Sequence, residues 1–172
     1  MKNLIEQGEF APYYQTYINL VPDGDILKIL EEQLSETTSL LVGISDEQAL
    51  FRYAPGKWSV KEVLGHIGDT ERIMSYRLLS IARGETASLP GYDDMLYVQN
   101  AKFESQSMDE LLQNFSAIRK STIHLLKSLS QEALLRRGNA NGFEVSARAI
   151  AFIIAGHERH HRNIVRDRYL QS

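Results

Sequence analysis

The feature that most restricts how this chain can fold is a set of four apolar stripes, each repeating at the period of an α-helix. From about Asp25 to Ile44, the residues Leu27, Leu30, Leu34, Leu41 and Ile44 fall on one face. From Ser59 to Arg83, just ahead of Gly84, the stripe is Val60, Val63, Leu64, Ile67, Met74, Leu78 and Ile81. A third begins at Ser107 and carries Leu111, Phe115, Ile118, Leu125 and Leu129. The fourth starts near Ser146 and runs almost to the end, through Ile150, Ile153, Ile154, Ile164 and Val165. Ser59 with Glu62 and Ser107 with Glu110 have capping-box spacing, in which each side chain ties off the other's backbone N–H. No segment alternates like a half-buried strand, so the expected class is all-α. Helices of about 20 residues, roughly 30 Å long, suit a four-helix bundle.

A short helix is expected from Gln131 to Arg136. Residues 1–22 are aromatic (Phe10, Tyr13, Tyr14, Tyr17) and punctuated by Pro12 and Pro22, which suggests an irregular arm wrapped around the bundle. The connection from Gly84 to Gln106 is longer than the ~2–8 residues usual between bundle helices, so it is either the wall or lid of a site or a plain crossover. With 172 residues, 24% of them charged and 43% hydrophobic, the chain reads as a single domain over 1–172. A formal charge of −3 argues against a nucleic-acid surface. No run of 18 apolar residues and no signal-peptide core is visible, so the expected setting is cytoplasmic, with no membrane partner. The absence of cysteine excludes disulfides, thiolate metal sites and a cysteine nucleophile.

The five histidines are sorted by helical geometry. His157 and His161 lie one turn apart in the middle of the fourth stripe. Two core-facing imidazoles need partners, and one metal ion satisfies both, because the i, i+4 spacing presents two nitrogens to a single ion. The alternative is two core histidines, each hydrogen-bonded to a neighbouring helix. The pairing at the centre of the stripe favours the metal. His66, at the edge of the second stripe, is the candidate for a further ligand from another element, and Asp69, one turn on, could orient a ligand. Gly65 and Gly156 directly precede His66 and His157. A helical glycine costs about 1 kcal/mol relative to alanine and often marks a close approach. His124 points away from its stripe and is read as a surface residue, while His160 sits about 60° off the fourth stripe and is read as a flanking group.

His157-Glu158-Arg159-His160-His161 spells the zinc-protease signature H-E-x-x-H. Its context does not fit. The eleven residues after His161 contain no histidine or glutamate to complete that site, and no sheet precedes the helix to form a cleft. Glu158 as an acid–base group in another reaction stays open, and Glu158 and Asp69 are the candidate catalytic residues. No phosphate-cradling glycine loop, nucleophile elbow or dinucleotide fingerprint is present.

Gly56-Lys57-Trp58-Ser59-Val60-Lys61-Glu62-Val63-Leu64-Gly65-His66, followed by Asp69-Thr70-Glu71-Arg72, resembles the second helix of the DinB/YfiT-like superfamily. Ala155-Gly156-His157-Glu158-Arg159-His160-His161-Arg162 is similar to its closing H-x-x-H-H helix, and Leu89-Pro90-Gly91-Tyr92-Asp93 fits its long loop. The resemblance covers nearly the whole chain from about Pro22. It implies a four-helix bundle, often dimeric, with one nickel or zinc ion on His66, His157 and His161. Arg159 stands where an apolar residue is more usual in the family. Relatives include transferases and isomerases that use low-molecular-weight thiols, and many members are called metal-dependent hydrolases. Since fold does not fix function, two classes remain. One is a metal-dependent enzyme acting on a small molecule, a thiol S-transferase or a hydrolase. With no cysteine in the chain, its thiol would be a cosubstrate. The other is a non-catalytic metal-binding or stress-response bundle.

Overall fold

Each of the four stripes forms a helix with a capped first turn, and Ser59 and Ser107 close theirs as their capping-box spacing predicts. In the computed structural model, residues 5, 6 and 8–170 are described. Helix α1 (Gln15–Leu20) is followed by α2 (Ile26–Leu41), whose Asp25 cap accepts from the Leu27 N–H at 2.9 Å. After the short α3 (Asp46–Leu50) comes α4 (Val60–Ala82), opened by the reciprocal Ser59–Glu62 capping box and closed at Gly84, which has φ +90°. Helix α5 (Asp94–Ala101) lies in the long connection, α6 (Met108–Lys127) opens on the Ser107–Glu110 box, and α7 (Gln131–Leu135) is the short helix expected there. Ser146 caps α8 (Ala147–Ile164), which passes into a π-helical turn, Val165–Tyr169. The last two residues of the fourth stripe's segment, 171 and 172, lie outside the described residues.

Helix α4 packs on α6 and α8, and α2 packs on the same two. The ring order is therefore α4, α8, α2, α6, with α2 and α4 on one diagonal. Helix α8 buries every residue from Ala149 to Glu158. From Ala149 to Ala155 it is apolar on all sides, because α1 covers the face that the other three long helices leave open.

The apolar core is split into two clusters, and the split determines where chemistry can sit. The first holds Leu30, Met74, Leu78, Ile123 and the early part of α8; the second holds Leu41, Val63, Ile67, Phe115 and Val165. Between them every long helix changes to polar residues: Gln33 and Thr37 on α2, His66, Thr70 and Glu71 on α4, Arg119 on α6, and His157 and Glu158 on α8, all buried. Arg119 is 0% exposed and its guanidinium forms a two-pronged pair with Glu71 (2.8–3.0 Å), while Nη1 donates to the Leu30 carbonyl and the Gln33 side chain. Buried charges are tolerated only when paired and saturated in this way.

Besides the short helix α3, two features differ from expectation. The N-terminal arm is not wholly irregular. A 3₁₀ turn (Pro12–Tyr14) leads into α1, which packs along α8; residues 1–4 and 7 of the arm lie outside the described residues. The chain also contains an antiparallel hairpin, β1 (Arg137–Ala140) with β2 (Phe143–Ser146), turned by Asn141-Gly142, both at positive φ (55° and 80°). Leu89 bridges to this hairpin through Leu89 N–H to the Asn139 carbonyl and Asn141 N–H to the Leu89 carbonyl, each at 2.9 Å, which anchors the long connection.

Gly156 is what lets α1 sit against α8. A Cβ built there would lie 2.1 Å from the Tyr17 carbonyl oxygen, a rigid backbone atom. Gly156→Ala is expected to push α1 outward and to destabilise the protein by about 1–3 kcal/mol, the usual range for overpacking. Thermal denaturation checks this, with Gly68→Ala as the milder comparison, since its Cβ would meet only the flexible end of Ile118 at 3.2 Å.

Candidate metal centre

The polar layer brings three imidazoles together. His66 faces inward from the second turn of α4, and His157 and His161 project one turn apart from α8. His66 Nε2 and His157 Nε2 are 3.0 Å apart, and one ring nitrogen from each of the three residues lies within 4.8 Å of the others. Ring centroids are separated by 4.9 Å (His66–His157), 4.8 Å (His66–His161) and 4.5 Å (His157–His161). A tetrahedral ion with metal–nitrogen bonds of about 2.0–2.1 Å spaces its ligand nitrogens by roughly 3.3 Å, so small rotations of these rings suffice.

The electrostatics suit the same role. Burial lowers the pKa of all three: His66 to about 4, His161 to about 3, and His157 well below the ordinary value, with the neighbouring imidazoles lowering His157 and His161 further. Neutral rings keep a lone pair free, which is the state a metal ligand requires.

The walls are aromatic. The Trp58 ring lies 4.6 Å from that of His66 and 6.4 Å from that of His161. Tyr17 packs edge-on against His157 and His160, at 5.5 and 5.3 Å. A cleft of about 220 Å³ opens beside His161, lined by Tyr53, Lys57, Trp58, Met95 and Tyr169 among others. Met95 belongs to the long connection, and Tyr92 from the same segment shares a 2.7 Å hydroxyl hydrogen bond with Thr70, so this connection walls the site. Gly65 has its own packing reason: a Cβ there would strike the Phe103 ring at 2.4 Å.

The two candidate acid–base residues have partners of their own. Glu158 is 1% exposed; its carboxylate accepts from the Thr37 hydroxyl and lies 3.7 Å from Arg162, and its Oε2 has no hydrogen-bond partner. Burial raises its pKa. Asp69 is half-buried and pairs with Arg72 at 3.3 Å, with its pKa likewise raised by burial. His124 is exposed on α6, and His160 flanks the cluster with its ring 5.0 Å from that of His161. Sequence reasoning assigned no role to Trp58 or Tyr17. Trp58 lies inside the motif that precedes His66, and Tyr17 sits in the arm, where no periodic pattern marks it.

The lowered histidine pKa values carry a pH dependence for the metal-free protein. The unfolded chain protonates these rings near pH 6.5, while the folded state resists until about pH 4 for His66, so between those limits the unfolded state binds more protons. The histidines' contribution to stability is therefore full above about pH 6.5 and is lost as the pH drops toward 4. His66 alone accounts for about 3 kcal/mol of that loss at 1.36 kcal/mol per pKa unit. Urea denaturation of chelator-treated protein at several pH values checks this, and His66→Ala should flatten the profile.

A family model described as the DinB superfamily matches residues 29–165. Among solved structures, YfiT from Bacillus subtilis, described as a probable metal-dependent hydrolase with an unusual four-helix bundle topology, is similar to this chain with a TM-score of 0.76 and 16% sequence identity, covering 95% of this chain and 90% of that one. No curated protein matches by sequence. At that identity the likeness to YfiT concerns the fold.

Proposed function

This chain belongs to the DinB superfamily, and from that premise we propose that it is a metal-dependent enzyme holding one zinc or nickel ion on His66, His157 and His161 and activating a small thiol for S-transfer. The observation that carries this reading is the convergence of three imidazoles, two buried and the third, His161, partly exposed at an accessible cleft, all with pKa values lowered by burial. Three protein ligands with an adjoining opening are the arrangement of catalytic rather than structural zinc. When bound, such an ion supplies a positive charge that favours the deprotonated form of a coordinated thiol or water.

The chain's own residues do the rest. The imidazoles fix the position, and Trp58 and Tyr17 keep solvent from two sides of the cluster. Lys57, at the cleft wall, offers an ammonium to an anionic group on the substrate. With no cysteine in the sequence, a thiol nucleophile must arrive as a small molecule. A thiol held by the ion would lose its proton to solvent near neutral pH, so this reading does not require a general base from Glu158, which accepts from Thr37, or from Asp69, which pairs with Arg72.

Hydrolysis is the second reading, supported by the description of YfiT as a probable metal-dependent hydrolase. The test is a turnover screen of metal-loaded and chelator-treated protein. One arm offers several low-molecular-weight thiols with an electrophilic acceptor; the other offers ester and amide substrates without thiol. Metal-dependent thiol consumption is expected. Thiol-independent hydrolysis would replace the transferase reading, and a protein that retains no metal would end both.

A further inference from the structure

The outer face of α8 carries a feature that the metal centre does not use. At about 100° per residue, Arg159 and Arg166 lie roughly 180–200° around the helix from His157. With Arg162, Asn163, Glu36 and Leu40 they line a cleft of about 380 Å³ between α8 and α2. Two of the three arginines have carboxylate partners: Arg162 pairs with Glu36 and lies near Glu158, and Arg166 pairs with its neighbour Asp167 at 2.7 Å. Arg159 has none among the described residues, and its Nε is buried without a hydrogen-bond acceptor. A buried guanidinium N–H with no acceptor costs free energy that a bound group could recover.

We propose that this cleft binds a multivalent oxyanion, a phosphate- or carboxylate-bearing small molecule, with Arg159 as its principal contact and Arg166 and Asn163 as supporting donors. Guanidinium forks match the paired oxygens of phosphate and carboxylate, which a halide does not offer. Arg162 is held by Glu36, itself about half exposed at the rim, so Glu36 competes with the ligand for that guanidinium. The site lies across α8 from the histidines and does not depend on the proposed activity.

Isothermal titration of the metal-free full-length chain with inorganic pyrophosphate and, separately, with citrate at low salt tests the assignment. Saturable binding of one anion per chain is expected. Arg159→Gln should weaken it about tenfold, the scale of a lost charge-assisted hydrogen bond. Glu36→Gln should tighten it severalfold by releasing Arg162, a gain that a misfolded variant would not give. His66→Ala should bind as the parent does. Pyrophosphate binding alone identifies a phosphate site and citrate binding alone a carboxylate site; either supports the proposal. Absence of saturable binding for both anions, or unchanged binding in Arg159→Gln, would overturn it.

Discussion

His157→Ala is expected to abolish stoichiometric metal binding and to remove the rise in melting temperature that added zinc or nickel gives the intact protein. His157 has its Nε2 3.0 Å from that of His66 and its ring 4.5 Å from that of His161. Without it, two nitrogens from different helices remain, too few to hold an ion against water. An ion that binds only the folded state stabilises it by mass action, about 2.7 kcal/mol at a hundredfold excess over the dissociation constant. That increment should vanish in His157→Ala and His161→Ala. His66→Ala should weaken binding severely, because it removes the one histidine that ties α4 to α8. His124→Ala, on the exposed face of α6, should bind as the parent does, and His160→Ala should keep the ion. Metal content per chain across the five variants checks the whole assignment. Equal losses in His124→Ala and His157→Ala would refute the helical-face argument.

Arg119→Met should be the most destabilising single change away from the histidines. The guanidinium is 0% exposed and neutralises Glu71, which is 2% exposed, while bridging α6 to the Leu30 carbonyl and Gln33 of α2. Removing it leaves a buried carboxylate unpaired, a loss of about 3–5 kcal/mol. In a chain of this length that lowers the melting temperature by roughly 10 °C or more. The double variant Arg119→Met/Glu71→Leu should recover most of the loss, because the expense lies in the orphaned charge rather than in the missing bond. Chemical denaturation of the two variants decides the point: a single variant within about 1 kcal/mol of the parent would mean that water reaches this layer.

What the sequence made legible follows from how locally each feature is encoded. Asp25, Ser59, Ser107 and Ser146 start their helices within a residue of where the apolar stripes and capping pairs put them. The three histidines that the wheel and the family motif select are the three that come together. The hairpin was missed because Arg137–Ala140 carries no alternation and that of Phe143–Ser146 spans only four residues, although Asn141-Gly142 is itself a hairpin-turn dipeptide. Helix α1 was missed because six residues give too short a period to read and its partner is α8, far along the chain. The Glu71–Arg119 pair left no trace in the stripes, since it depends on two helices meeting at one level.

The packing of Trp58 against two of the three histidines gives the protein its own optical readout. It is the only tryptophan in the sequence. Its indole sits 4.6 Å from the His66 ring and 6.4 Å from that of His161, and the hydroxyl of Tyr169 holds its backbone carbonyl at 2.7 Å. Fluorescence excited at wavelengths where tyrosine does not absorb therefore reports from one place. An open-shell ion such as nickel should quench that emission by short-range energy transfer, whereas zinc, with a filled d shell, should mainly shift it. Metal occupancy, the identity of the ion and its rate of arrival can then be followed on the unlabelled protein in a stopped-flow cuvette.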